Sequence, residues 1–172
     1  MNSEKLTKSD VEKIQKEINE RKTVLRPKIL EDVKSARAQG DLSENFEYYA
    51  ARKANRENNS RIEYLEKMLR NAIIIDDSDV KGVSLNNTVK VKFIEDGVDE
   101  ASWDEDTYKV VTSIRSDSTK KRISIESPLG KALVGHDVGE IVKVMLDNGS
   151  SYELKIIDID KTSGDDDELK AF

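Results

Sequence analysis

The chain of 172 residues contains no cysteine. That excludes a disulfide framework, a cysteine-ligated zinc site and a thiol nucleophile. A single histidine, His136, leaves little room for imidazole-based acid–base or metal chemistry, and no nucleophile stands beside it in sequence. No apolar run approaches the roughly 20 residues of a membrane span. The opening Met1-Asn2-Ser3-Glu4-Lys5 is followed by no apolar signal-peptide core. These absences predict a soluble, cytoplasmic chain with no membrane partner. Aromatic residues make up only 5% while charged residues make up 37%. Such a balance suits a long exposed helical hairpin beside a small compact domain better than one large core.

Charge is unevenly placed. Residues 1–75 hold 16 Lys and Arg against 13 Asp and Glu; residues 76–172 hold 13 against 22. The first half is therefore net +3 and the second net −9, a split that predicts two domains with different duties. An acidic chain is a poor general binder of nucleic acid. Any contact with RNA or DNA has to come from a local basic patch on the first half.

Residues 7–38 read as helix, with apolar positions at Val11, Ile14, Ile18, Leu25, Ile29 and Val33 forming a narrow seam. Pro27 interrupts it by removing a donor and crowding the carbonyl of Thr23; since the seam resumes at Ile29, one bent helix is expected. Gly40 is the expected stop. A second helix is expected from about Leu42 to Ala72, with a seam of Phe46, Tyr49 or Ala50, Ile62, Leu65, Leu69 and Ala72. It would be about 46 Å long. Two such helices joined by a short loop pack antiparallel. This N-terminal antiparallel hairpin spans residues 1–75.

At Ile73-Ile74-Ile75 the periodicity changes from helical to β, and Asp76-Asp77-Ser78-Asp79 reads as a linker. Strands are expected over 88–94, 107–113, 121–126, 140–146 and 151–159, separated by turn signals such as Asp96-Gly97 and Asp147-Asn148-Gly149. Pro128–Gly135 reads as a short helix. The second domain, residues 80–161, is a small, mostly antiparallel sheet with one short helix, which makes the chain α+β. The acidic segment 162–172 reads as a disordered tail.

Asp41 and Glu44, three residues apart in Gly40-Asp41-Leu42-Ser43-Glu44-Asn45, admit two readings. Asp-x-x-Glu at a helix start is a capping arrangement. The same pair is also a set of hard oxygen ligands. Mg²⁺ takes one or two protein carboxylates and completes its shell with water and phosphate, so the pair would bind it only inside a partner supplying the rest. Around this tip lie Lys34 and Arg37 on the first helix and Arg52, Lys53 and Arg56 on the second. Each alone is an ordinary solvated cation; together they could track a phosphate backbone. Of Tyr48 and Tyr49, one is expected in the seam and the other is available to stack on a base. Leu42 and Phe46 cannot both be buried at the narrow end of a hairpin, so one is expected to be an exposed anchor.

The run Gly40-Asp41-Leu42-Ser43-Glu44-Asn45-x-Glu47-Tyr48-x-Ala50-Ala51-Arg52 resembles the tip signature of the bacterial transcript cleavage factors of the GreA/GreB family. Arg26-Pro27, Arg61-Ile62 and Ser127-Pro128-Leu129-Gly130-x-Ala132-Leu133-x-Gly135 resemble that family too. The match runs in the same order over most of residues 5–160. The resemblance implies an N-terminal antiparallel coiled coil and an FKBP-like C-terminal domain. It implies a monomeric accessory factor, not itself an enzyme, whose C-terminal domain docks at the rim of the RNA polymerase secondary channel while the coiled coil enters it. Asp41 and Glu44 would then help hold a second Mg²⁺ and a water in the polymerase active centre, which hydrolyses its own backtracked RNA. Arg37 and Arg52 match the family's basic patch for the nascent RNA 3′ segment, with Lys34, Lys53 and Arg56 as further contacts. The modest patch is more like GreA than GreB, which implies short cleavage products.

Departures from the family pattern are Phe46 and Tyr49, where Ala and His are commoner, the polar stretch Asn55–Ser60, the acidic loop Glu95–Asp106 and the tail after Asp160. Two other functions stay open on sequence. One is a channel-binding regulator that acts without cleavage, against which the intact acid pair argues. The other is a peptidyl-prolyl isomerase or chaperone acting through the second domain, which would need an aromatic-lined pocket.

Overall fold

The computed structural model describes residues 3–38, 45–76, 81–161, 164 and 166–170. The elements in order are β1 (Lys5–Leu6), α1 (Lys8–Glu20), a π-helical turn (Arg21–Leu25), α2 (Arg26–Ala38), α3 (Phe46–Arg70), β2 (Ile73–Ile74), β3 (Thr88–Phe93), β4 (Glu105–Val111), β5 (Arg122–Ser124), α4 (Pro128–Leu133), β6 (Ile141–Met145) and β7 (Ser151–Asp160). The chain divides into two compact units, one built on residues 9–73 and one on residues 74–171 with Lys5–Lys8.

The first unit is a helical hairpin. Helical structure runs without a break from Lys8 to Ala38, and the distortion expected at Pro27 takes the form of the π turn just before it. The Arg26 N–H donates to the Arg21 carbonyl, an i→i+5 bond. That wide turn lies where a regular α-helix would drive the Pro27 ring into the Thr23 carbonyl. The extra residue also shifts the phase of the seam. Ile14 is buried before the turn; Ile29 and Ala36 are buried after it; Leu25, expected inside, is exposed. Half-buried Arg26 donates to Asn59 Oδ1 on the neighbouring helix at 2.7 Å.

Helix α3 has 25 residues, about 37 Å, and starts at Phe46 rather than Leu42. Its buried residues are Tyr48, Asn58, Arg61, Ile62, Leu65 and Met68. The expected seam is therefore corrected at its N-terminal end. Tyr48 is 8% exposed, whereas Phe46 is 86% and Tyr49 53% exposed. The physical reason is a polar layer in mid-hairpin. Counting back from Ile62 in steps of four and three passes through Asn58 and Asn55 and lands on Ala51 and Tyr48. Apolar residues alone do not mark that route.

The polar layer is fully engaged. Arg61 donates from Nε and an Nη to the two Glu17 oxygens at 2.9 and 3.0 Å. Arg21 Nε donates to Glu17 at 2.7 Å, and Arg21 Nη1 donates to Asn58 Oδ1 at 3.2 Å. The Asn58 amide returns a bond to the Arg21 carbonyl at 3.3 Å. Burial raises the Glu17 carboxyl, but the hydrogen bonds from Arg61 and Arg21 outweigh it and hold the group below its ordinary value. A layer of this kind fixes which residues face each other, because slipping the helices would leave buried charge unpaired.

The second unit is a five-stranded sheet in the order β5-β4-β3-β7-β6. β3 pairs antiparallel with β4 and β7, β6 pairs antiparallel with β7, and β5 runs parallel to β4. Val89 and Val91 of β3 alternate with Lys90 and Lys92, as a half-buried strand requires. They join Val83, Val110, Leu133, Val142, Val144, Leu154 and Ile156 in one core. Ser127 caps α4 by accepting from the Gly130 N–H at 3.1 Å, and Pro128 occupies the first turn, where a missing donor costs nothing. The loop 95–106 is tied down: Lys155 pairs with Glu100 at 2.6 Å, and the Trp103 indole donates to the Val98 carbonyl at 3.0 Å. Within the segment 162–172, expected to be disordered, the described residues Gly164 and Asp166–Lys170 lie in no helix or strand. Among them Asp167 makes the ion pairs described below.

Candidate functional site

The closed end of the hairpin is where α2 stops at Ala38 and α3 starts at Phe46. Asp41 and Glu44 fall between them in sequence and lie outside the described residues. What is described is the platform behind them. Asn45 is the N-cap of α3: its backbone is extended, at φ −86° and ψ 92°, and its Oδ1 accepts from the Tyr48 N–H at 3.0 Å. The same side chain donates from Nδ2 to the Ala36 carbonyl at 2.8 Å. That carbonyl is one of the last four of α2, which have no partner within the helix. One amide thus satisfies one backbone group at each of the two helix ends. The cap of this helix is Asn45, not Asp41 as a start at Leu42 would require.

One turn into α3, the Tyr48 ring sits between two arginines. The Arg37 guanidinium carbon lies 5.6 Å from the ring centroid and that of Arg52 lies 5.7 Å from it, within the range of a cation–π contact. Arg37 comes from α2 and Arg52 from α3, so the ring gathers cations from both helices. Hydrogen bonding to Arg37, aided by the charges of Arg37 and Arg52 and opposed by burial, lowers the Tyr48 hydroxyl from its ordinary value. Tyr49 meets Tyr48 edge-on at 5.9 Å and turns its other face to solvent.

The structure thus brings together two of the five predicted cations. Lys53 pairs with Glu57 on its own helix at 3.7 Å. Lys34 and Arg56 are exposed. Sequence reasoning missed the double role of Asn45, although an Asn three residues before a helical Tyr is a capping signal. It also missed Tyr48 as the residue that joins the two arginines. Among the described residues no group of three or more His, Asp or Glu side chains could hold a metal ion. The only donors singled out for one remain Asp41 and Glu44, two carboxylates of the oxygen chemistry that suits Mg²⁺.

In the second unit, a cleft of about 310 Å³ is lined by Lys5, Ile75, Leu85, Ile125, Lys131 and Val134 among others. A larger one of about 690 Å³ lies between Ser116–Ser127 and Glu168–Lys170. Neither has an aromatic wall. Phe93, Tyr108 and Tyr152 pack against the core instead.

Comparison with known proteins covers both units. A family model described as "Transcription elongation factor, N-terminal" matches residues 4–74, and one described as "Transcription elongation factor, GreA/GreB, C-term" matches residues 78–161. The chain is 40% identical over 154 residues to the transcription elongation factors GreA of Staphylococcus aureus strains JH9 and Newman. Those alignments cover 90% of this chain and 94% of each relative. Among solved structures, GreA factor homolog 1 of Thermus thermophilus is 23% identical, with a TM-score of 0.43 over 92% of this chain and 99% of that one. That likeness is too loose to carry an argument.

Proposed function

The chain belongs to the GreA/GreB family of transcription elongation factors, and on that footing we propose that it binds RNA polymerase and stimulates hydrolytic cleavage of backtracked nascent RNA. In this reading it is an accessory factor, acting as a monomer in the cytoplasm, and the polymerase remains the catalyst. The hairpin enters the secondary channel and carries the connecting segment with Asp41 and Glu44 to the active centre.

The observation that carries the reading is the convergence of Arg37 and Arg52 on Tyr48, one turn from the segment that holds the acid pair. Two cations held against one ring would form a fixed phosphate contact rather than two independent mobile charges. They would bind the extruded RNA 3′ segment and position it. Tyr49, half in solvent, offers a face on which an unpaired base can stack. Asn45 anchors the start of α3 to the end of α2. Asp41 and Glu44 would orient a water and accept its proton. They are also the residues that would hold Mg²⁺ together with ligands from the polymerase; when bound, the ion supplies positive charge against the phosphodiester oxygens.

The test is RNA cleavage in a stalled, backtracked elongation complex, comparing the native chain with Asp41→Asn and Glu44→Gln. The native chain is expected to shorten the RNA, and the variants to bind the complex equally well but not shorten it. Variants that cleave like the native chain would remove the acids from the mechanism. A native chain that binds and never cleaves would make it a channel regulator instead.

A further inference from the structure

Three cations of the second unit converge on one carboxylate of the C-terminal segment. Asp167 Oδ2 lies 2.8 Å from Lys109 Nζ and 3.4 Å from Arg115 Nη1, and Asp167 Oδ1 lies 3.4 Å from Arg122 Nη1. The cations come from separate places in the chain: Lys109 from β4, Arg115 from the 3₁₀ turn after it, and Arg122 from β5. Their side chains are 19%, 0% and 8% exposed. Arg115 is the extreme case. A guanidinium cannot shed its charge, and this one has no access to water, so an anion must sit beside it. Its Nε donates to Thr112 Oγ1 at 3.2 Å, which fixes its direction toward Asp167.

The backbone of the segment is held as well. The Lys170 N–H donates to the Ile114 carbonyl at 2.6 Å, and Lys109 Nζ donates to the Gly164 carbonyl at 2.5 Å. Beyond Asp167 the segment borders the cleft of about 690 Å³, in which Glu168, Leu169 and Lys170 face Ser116, Lys120, Arg122 and Ser124. Asp117 also pairs with Arg122, at 3.4 Å. The site is therefore shaped for an extended chain carrying a carboxylate, not for an isolated ion.

We propose that Lys109, Arg115 and Arg122 form a binding site for an acidic, extended peptide segment, and that Asp167 of the chain's own C-terminal segment occupies it as a displaceable plug. With the plug seated, three of the domain's cations are paired with its carboxylate and largely hidden. With it displaced, the same residues present a positive, pre-arranged groove on an otherwise acidic domain, which an acidic segment of a partner protein fits. This inference concerns the second unit and does not depend on the hairpin's role in cleavage.

The test uses a fluorescently labelled peptide of residues 164–170, Gly-Asp-Asp-Asp-Glu-Leu-Lys, added to four proteins: the native chain, a chain shortened after Lys161, full-length Asp167→Asn, and full-length Asp167→Asn carrying Lys109→Gln. Fluorescence anisotropy reads the affinity. A tethered segment competes at an effective concentration in the mM range. The shortened chain and Asp167→Asn are therefore expected to bind the peptide about tenfold or more tightly than the native chain. A peptide with Asn at the position of Asp167 is expected to lose that affinity, as is the Asp167→Asn protein carrying Lys109→Gln. Should the shortened chain not fold, the full-length Asp167→Asn protein decides the matter alone. Equal binding to native and Asp167→Asn protein overturns the proposal, and so does undiminished binding of the Asn-containing peptide. Displacement of the peptide by a single-stranded RNA oligonucleotide at equal or lower concentration overturns the acidic-peptide assignment and makes the groove a site for polyanions.

Discussion

Asn45 and Ala36 are joined by a 2.8 Å hydrogen bond from the Asn45 amide to the Ala36 carbonyl, and the same amide group caps the following helix through its oxygen. The last turn of one helix and the first turn of the next are thereby tied across the segment that carries Asp41 and Glu44. An Asn is the side chain that does both jobs, since it has a donor and an acceptor on one planar group.

Asn45→Ala removes both bonds and is expected to destabilise the tip by about 1–2 kcal/mol. Asn45→Asp restores the cap but replaces the donor with an acceptor facing the Ala36 carbonyl, and is expected to recover only part of the loss. Amide exchange at Tyr48 and Tyr49, whose N–H groups bond to Asn45, reads the effect locally. Equal protection in native chain and Asn45→Ala would show that the tip is held by other contacts.

Glu17 gives the hairpin a pH dependence. Its carboxyl is held below its ordinary value of 4.5 in the folded chain, so the folded state binds the proton less readily than the unfolded state does. The stabilisation is complete above pH about 4.5 and is lost as pH falls through the lower folded value. Thermal melts of the native chain and Glu17→Gln are expected to differ most above that pH and to converge below it. Arg61→Met is expected to cost about 2 kcal/mol near pH 7. That is below the 3–5 kcal/mol for breaking a fully buried pair, because Glu17 is 22% exposed and keeps Arg21. A pH-independent difference between the native chain and Glu17→Gln would refute the ion-pair account.

Tyr48 is expected to ionise early. In an absorbance titration of tyrosinate it should precede the ordinary value of 10.0, while Tyr108, buried and bonded to Asp106, is pushed up to about 12. Tyr48→Phe should delete the early step, and Arg37→Gln should move it upward. The stability that ionised Tyr48 adds is complete above the phenol's ordinary value of 10.0 and is lost as pH falls through the lowered folded value. Tyr48→Ala is expected to cost about 3 kcal/mol as a large buried side chain is lost. Phe46→Ala should change stability by less than about 0.5 kcal/mol, since Phe46 is almost wholly in solvent.

Gly130 stands in the Ser127-Pro128-Leu129-Gly130 run where α4 crosses the strand end at Ser124. A Cβ there would lie 2.0 Å from the Ser124 carbonyl oxygen, and that oxygen belongs to backbone, which cannot step aside as a flexible side chain would. Gly130→Ala is expected to destabilise the chain by about 1–3 kcal/mol, read by thermal or urea unfolding. An unchanged midpoint would mean that α4 can shift without loss of packing.

Much of the architecture was legible in the sequence, because hydrophobic period is a local property. The switch from helical to alternating pattern at Ile73, the strands around Thr88–Phe93 and Ser151–Asp160, and the short helix after Pro128 all follow from residues within a few positions of each other. The cations Arg37 and Arg52 were legible as types at a spacing, and as a resemblance. That they meet was not, since the ring between them comes from Tyr48, which the apolar pattern placed outside the seam.

The sequence by itself determined two helices and a sheet, their order, a charge split between the halves, and a pair of carboxylates in the connecting segment. Tertiary structure alone decided which helical faces meet. A π turn ahead of Pro27 inserts one residue of phase, and a buried Glu17–Arg21–Asn58–Arg61 layer carries the seam through residues that look polar in the sequence. It also decided that Asp167 closes on Lys109, Arg115 and Arg122. The physical reason is the same in both places. Whether a charged side chain is solvated or buried depends on a partner tens of residues away, and no local pattern encodes that distance.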